Sequence, residues 1–158
     1  MPSMHSTLFA LALLITLQAG VRADGGYAIY ESESAFADVM EGLKMAIQER
    51  GMYINNVMHM DEMLERTGKD LGLGGKLYEH AESVEFCSAV MSRKMVTENP
   101  ARIVNCPFII SVYTLPDVED KTTYIVHREI PAAEAQASEV MSEVAEMLEG
   151  VAGAAAEW

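Results

Sequence analysis

Short strand-like runs alternate with amphipathic helical stretches along this chain, and its strongest strand run is followed at once by another across a tight acidic turn. Residues 26–30 read as a first strand. Ser34 then caps a helix in which Phe36, Val39, Met40, Leu43 and Ile47 recur at helical spacing, and Gly51 stops it. Residues 52–58 form a second strand pattern, 61–66 a short helix closing at Gly68, and 72–75 a glycine turn leading through 76–80 into a third strand. Phe86, Val90, Met91 and Met95 give 86–98 a helical period, which Asn99-Pro100 ends. Residues 108–113 pair with 122–126 across the turn at 116–121. Pro131 opens a last helix carrying Ala137, Val140, Met141, Val144, Met147, Leu148 and Val151, with an alanine-rich end at 152–156 expected to fray.

This pattern predicts an α+β class: one compact domain, a mainly antiparallel sheet, and helices packed on one face. The sheet's other face or an edge then needs cover, and a homodimer through a sheet edge or the C-terminal helix is the simplest way to supply it.

Residues 8–17 are an apolar run of signal-peptide length, and Val21-Arg22-Ala23 places small residues at the two cleavage positions before Asp24. The run is too short for a bilayer span. The expected division is a signal peptide at 1–23, an α+β domain at 24–130 and a C-terminal helix extension at 131–158, in a periplasmic or secreted protein with no stable membrane span after cleavage. Losing Arg22 with the leader moves the formal charge from −13 to −14. Such a surface repels phosphate backbones, and no basic cluster offsets it, so nucleic acid is excluded as a partner.

The chain holds two cysteines. Cys87 is read at the start of a helix, where the dipole and free N–H groups favour a thiolate, and Cys106 at the start of a strand. Export favours a disulfide instead. A helix of about 12 residues climbs roughly 18 Å, and the remaining residues reach about 23 Å when extended, so a bridge is within reach. It would stabilise the fold by roughly 3 kcal/mol. Disulfide and reactive thiols both stay open. There is no Cys-x-x-Cys, which argues against a thioredoxin-like cycle.

The segments 62–70, Phe86-Cys87-Ser88-Ala89, Ile103-Val104-Asn105-Cys106-Pro107-Phe108 and Val112-Tyr113 resemble exported members of the domain-of-unknown-function 302 family over roughly residues 30–128. The resemblance implies a compact α+β fold, usually dimeric, with no established catalytic activity, and with haem binding associated with some relatives.

Met58-His59-Met60 is the cofactor candidate. In extended backbone His59 faces one way and both methionines the other, so His59 could coordinate haem iron. A local bend could instead converge imidazole and thioethers on Cu(I), which prefers soft ligands. Against both stands the use of methionine as core filler throughout the chain. Without Cys-x-x-Cys-His, any haem would be non-covalent and b-type. Phe36 or Phe86 could cover the porphyrin, and Arg66 and Lys69 could meet its propionates, or simply complement a helix end. His80 and His127 read as structural, with His127 a candidate second ligand. No nucleophile elbow, zincin motif or phosphate-cradling loop is present. The expectation is an exported binding protein rather than an enzyme, holding haem b through His59. The alternatives are a Cu(I)-binding protein using Met58, His59 and Met60, and a thiol-based sulfur or redox carrier using Cys87.

Overall fold

The computed structural model describes residues 21–116 and 121–158. The expected leader therefore lies mostly outside the described residues, as does most of the acidic turn at 116–121. Six strands form one antiparallel sheet: β1 (Val21–Asp24), β2 (Tyr27–Ser32), β3 (Tyr53–His59), β4 (His80–Cys87), β5 (Phe108–Thr114) and β6 (Thr123–Arg128), in the spatial order β1-β2-β6-β5-β4-β3. The helices are α1 (Phe36–Glu49), α2 (Met60–Asp70), α3 (Ala89–Glu98), α4 (Ala132–Ala137) and α5 (Glu139–Ala156), with a 3₁₀ helix at Pro100–Asn105. The α+β expectation holds, in one domain. Among the described residues no helix is long and apolar enough to cross a membrane.

Strand register explains where the core sits. Val84 lies opposite Ile110, Phe86 opposite Phe108, Val112 opposite Ile125, and Ile125 opposite Tyr30. Side chains alternate between faces along a strand, so these residues line one side, and α1 and α5 close over it. α1 ends at Gly51, whose φ of +69° lets the N–H groups of Gly51 and Met52 turn back to the carbonyls of Gln48 and Ile47. On the opposite face Ser83 and Ser111 share a hydrogen bond of 2.7 Å, and Tyr113 stacks on Tyr124 with centroids 5.0 Å apart. Ile109 and Met58 are exposed there.

The structure departs from the sequence expectation in several places. Ala35 and not Ser34 is the N-cap of α1, with no side-chain hydrogen bond, and the single last helix breaks at Ser138 into α4 and α5. Phe86 and Cys87 end strand β4 instead of opening a helix, because the pairing of Phe86 with both β3 and β5, and of Cys87 with β3, outweighs a short helical period. Ser88 is the actual cap of α3, accepting from the Met91 amide at 3.4 Å. β1 includes Val21, Arg22 and Ala23, so cleavage after Ala23 would remove three of its four residues. The alanine-rich end of α5 does not fray: Ala152 and Ala155 are fully buried, their small side chains fitting the interior, and the Ser34 hydroxyl ties down the Trp158 carbonyl at 2.9 Å. Trp158 lies over Gly42, where an added Cβ would come within 2.5 Å of the indole. The apolar stripe of α5, one expected route to a dimer, is thus consumed inside the chain's own core.

Candidate functional site

The two cysteines and a cleft of small-molecule size share one end of the sheet. β4 delivers Cys87 at its last residue, and the 3₁₀ helix returns the chain so that Cys106 comes just before β5. Their sulfurs are 3.3 Å apart. The Ser92 hydroxyl, one turn into α3, donates to Cys106 Sγ at 3.3 Å, and the Asn55 amide from β3 lies 3.6 Å from Cys87 Sγ. Both cysteines are half-buried. Burial pushes the Cys87 thiol up, and the neighbouring Cys106 adds to this, while the Asn55 amide works in the opposite direction. The thiolate expected from a helix start is therefore disfavoured at Cys87, which precedes the cap instead of sitting on the first turn.

Beside Cys106 the sheet opens. β5 pairs with β6 only as far as Ile110 and His127, so Phe108 and Ile109 have no β6 partner. The gap between the strands, the 3₁₀ helix and the start of α4 is a cleft of about 740 Å³, lined by Val104, Asn105, Pro107, Phe108, Ile109, Val126, His127, Arg128, Ile130 and Leu148 among others. That is the volume of a small-molecule site, with mostly apolar walls. A second cleft of about 470 Å³ shares His127, Glu129, Ile130 and Pro131.

Of the polar side chains common to both, His127 is buried and Glu129 exposed. His127 is only 5% exposed, projects from β6 opposite Ala28 and Ile110, and stacks on Tyr30 with centroids 5.9 Å apart. Its Nδ1 lies 2.9 Å from the Arg128 carbonyl oxygen. A carbonyl only accepts, so Nδ1 carries the hydrogen, and in the neutral tautomer that does so Nε2 is an acceptor. That Nε2 is buried without a hydrogen-bond partner among the described residues. Burial, with Glu149 and Glu129 nearby, raises the Tyr30 phenol, so Tyr30 stays neutral beside it. Arg128 lies over the Tyr27 ring at 5.3 Å. Arg102, only 12% exposed, fixes the 3₁₀ wall by bonding Glu98, Glu134 (3.0 Å) and the Ser138 hydroxyl (3.2 Å).

His59 stands at the other end of the sheet. Its Nδ1 meets Glu82 at 3.3 Å, and its side chain is 55% exposed. Met58 pairs opposite Ser83 while His59 pairs opposite Glu82, so their side chains leave opposite faces. Met60 begins α2. Arg66 is exposed on α2, and Lys69 pairs with Glu65 at 2.9 Å. Phe36 stacks on His80 at 5.0 Å, and Phe86 is fully buried, so neither covers His59. Haem needs an apolar slot around its axial ligand, and these residues do not fit one. Nor do Met58, His59 and Met60 converge as copper ligands. Among the described residues no three His, Cys, Asp or Glu side chains gather as a metal-binding group.

Sequence reasoning located both cysteines but not the cleft. His127 could be placed at a strand end, whereas its unmatched Nε2 depends on where β5 and β6 part. Only the sequence Asn99-Pro100, ending one helix and starting a 3₁₀ turn, hinted that the chain detours there.

These features define a compact antiparallel α+β domain with its helices on one face and a small-molecule-sized cleft at one sheet end. The chain belongs to the family described as "Domain of unknown function DUF302", whose model matches residues 29–155 and so includes α5. It is similar in fold to an uncharacterised conserved DUF302 protein from Bacillus stearothermophilus. The two are 17% identical with a TM-score of 0.63, and the alignment covers 85% of this chain and 98% of the other. No curated protein matches the chain.

Proposed function

We propose that this protein is an exported, non-catalytic binding protein whose ligand occupies the cleft at His127. The observation that carries this reading is a mostly apolar cleft of about 740 Å³ with the buried His127 in its wall; the ring's unpartnered Nε2 is closed off from solvent, so a ligand meets it by displacing the side chains that cover it. An orphaned buried acceptor costs roughly 1–3 kcal/mol, which a donor from a ligand would recover. The ligand class this selects is a small, largely apolar molecule with one hydrogen-bond donor, as in phenols and indoles. Haem through His59 has less support, because its expected cover, Phe36 and Phe86, is engaged elsewhere.

The test compares 2-naphthol with 2-methoxynaphthalene, which keeps the rings but loses the donor. Wild-type protein is expected to bind naphthol at one site with a preference of about tenfold, as one buried hydrogen bond of roughly 1.4 kcal/mol requires. His127→Gln should erase the preference. Ile109→Trp, at an exposed position on the cleft wall, should weaken both ligands without disturbing the core. Equal affinities in the wild type, or no saturable binding, would sink the reading. A haem titration run alongside tests the His59 alternative: a Soret band that disappears in His59→Ala would support it. A second copy of the chain, if it binds, is proposed to use the open sheet face or the edge strands β1 and β3, since α5 is occupied.

A further inference from the structure

The cysteine pair has a chemistry independent of any ligand in the cleft. Its sulfurs are in contact at 3.3 Å, both side chains are half-buried and so within reach of a small reagent, and no third cysteine competes. They come from segments separated by α3 and the 3₁₀ helix, so a bond between them would fasten the cleft's 3₁₀ wall to the end of β4. The partners of the two sulfurs differ. Cys106 accepts a hydroxyl hydrogen bond from Ser92 at 3.3 Å, a donor that holds this sulfur in place as it attacks. Cys87 has the longer Asn55 amide contact at 3.6 Å.

We infer that Cys87 and Cys106 form a thiol–disulfide exchange site for low-molecular-weight disulfides, with Cys106 as the attacking and Cys87 as the resolving sulfur. The Cys106 thiol loses its proton to solvent, and its thiolate attacks one sulfur of R–S–S–R. A protein–S–S–R mixed disulfide forms, and the first R–S⁻ leaves and takes up a proton. Cys87 then loses its own proton and attacks Cys106 Sγ. The protein disulfide forms as the mixed disulfide breaks, and the second R–S⁻ leaves. The protein gives up two electrons and two protons, and R–S–S–R becomes two R–SH, so the exchange balances. The raised Cys87 thiol fits the second role. Once the mixed disulfide is 3.3 Å away, proximity substitutes for a standing thiolate population.

The experiment uses glutathione disulfide on the reduced protein at neutral pH, followed by intact mass. The expected product is a species lighter by two hydrogens with no glutathione attached, returned to the dithiol by dithiothreitol. An accumulating doubly glutathionylated protein, or an unreacted dithiol, would overturn the site. Single variants read the order of attack. Cys87→Ser should form its mixed disulfide about fivefold faster than Cys106→Ser, given the more favourable sulfur environment. A reversed order would overturn the assignment of roles. Ser92→Ala leaves both sulfurs in place and should slow ring closure in the otherwise wild-type protein by slowing the first attack. An unchanged rate would remove Ser92 as the positioning residue. None of these readouts depends on whether naphthol binds.

Discussion

Removing residues 131–158 is expected to abolish cooperative folding altogether. The sequence pattern presents this stretch as an extension after a finished domain, yet α5 supplies Val140, Met141, Val144, Leu148 and Val151 to the buried layer over the sheet. Each such side chain contributes roughly 1.5–3 kcal/mol by leaving water. Five of them total roughly 7.5–15 kcal/mol, comparable with the roughly 5–15 kcal/mol that separates a typical folded domain from its unfolded state. Truncation would also uncover the parts of α1, β2 and β6 that pack against α5. Urea unfolding followed by circular dichroism checks this. The full chain should show one sigmoidal transition, and the truncated chain a sloping trace or aggregation. A truncated chain with a sharp transition would mean that the sheet, α1 and α3 suffice, and that α5 is an appendage after all.

The fate of α5 shows what was legible in the sequence. Its helical stripe could be read from spacing alone, because a 3.6-residue period sustained over many residues has few alternatives. What the stripe faces could not: an apolar face says that something covers it, and a second copy satisfies that demand as well as the chain's own sheet. The same limit governs the site. Cys87 and Cys106 were identifiable as residues within reach of each other, since chain length bounds their separation. Their contact follows from a strand end and a 3₁₀ turn that no local pattern announced. His59 drew attention through its methionine neighbours, but alternation along β3 sends Met58 to the opposite face, and Glu82 takes the ring. His127 could be placed at a strand end and named as a candidate second ligand, but its burial where two strands separate carried no local mark. Elements with a long period were readable. Junctions between elements, where the chemistry sits, were set by tertiary pairing.

One such junction offers the sharpest test of the fold. Phe86 and Val90 lie on one helical stripe if 86–98 is read by periodicity, and would then lose similar stability when truncated. In the structure they part company. Phe86 is fully buried in β4, opposite Ile54 and Phe108, with its ring 5.8 Å from that of Phe108. Val90 is 71% exposed on α3. Phe86→Ala is expected to cost about 3–5 kcal/mol, the transfer of a buried ring plus the cavity it leaves. Val90→Ala should stay within about 0.5 kcal/mol, as surface substitutions do. Both are measured by urea denaturation with the cysteines kept reduced, so that a changed disulfide equilibrium does not enter the difference. Comparable losses at the two positions would place Phe86 back on a helix, and would break the strand that brings Cys87 to Cys106. A wide gap between them fixes β4 as a strand through residue 86 and, with it, the turn at Ser88 on which the sulfur contact depends.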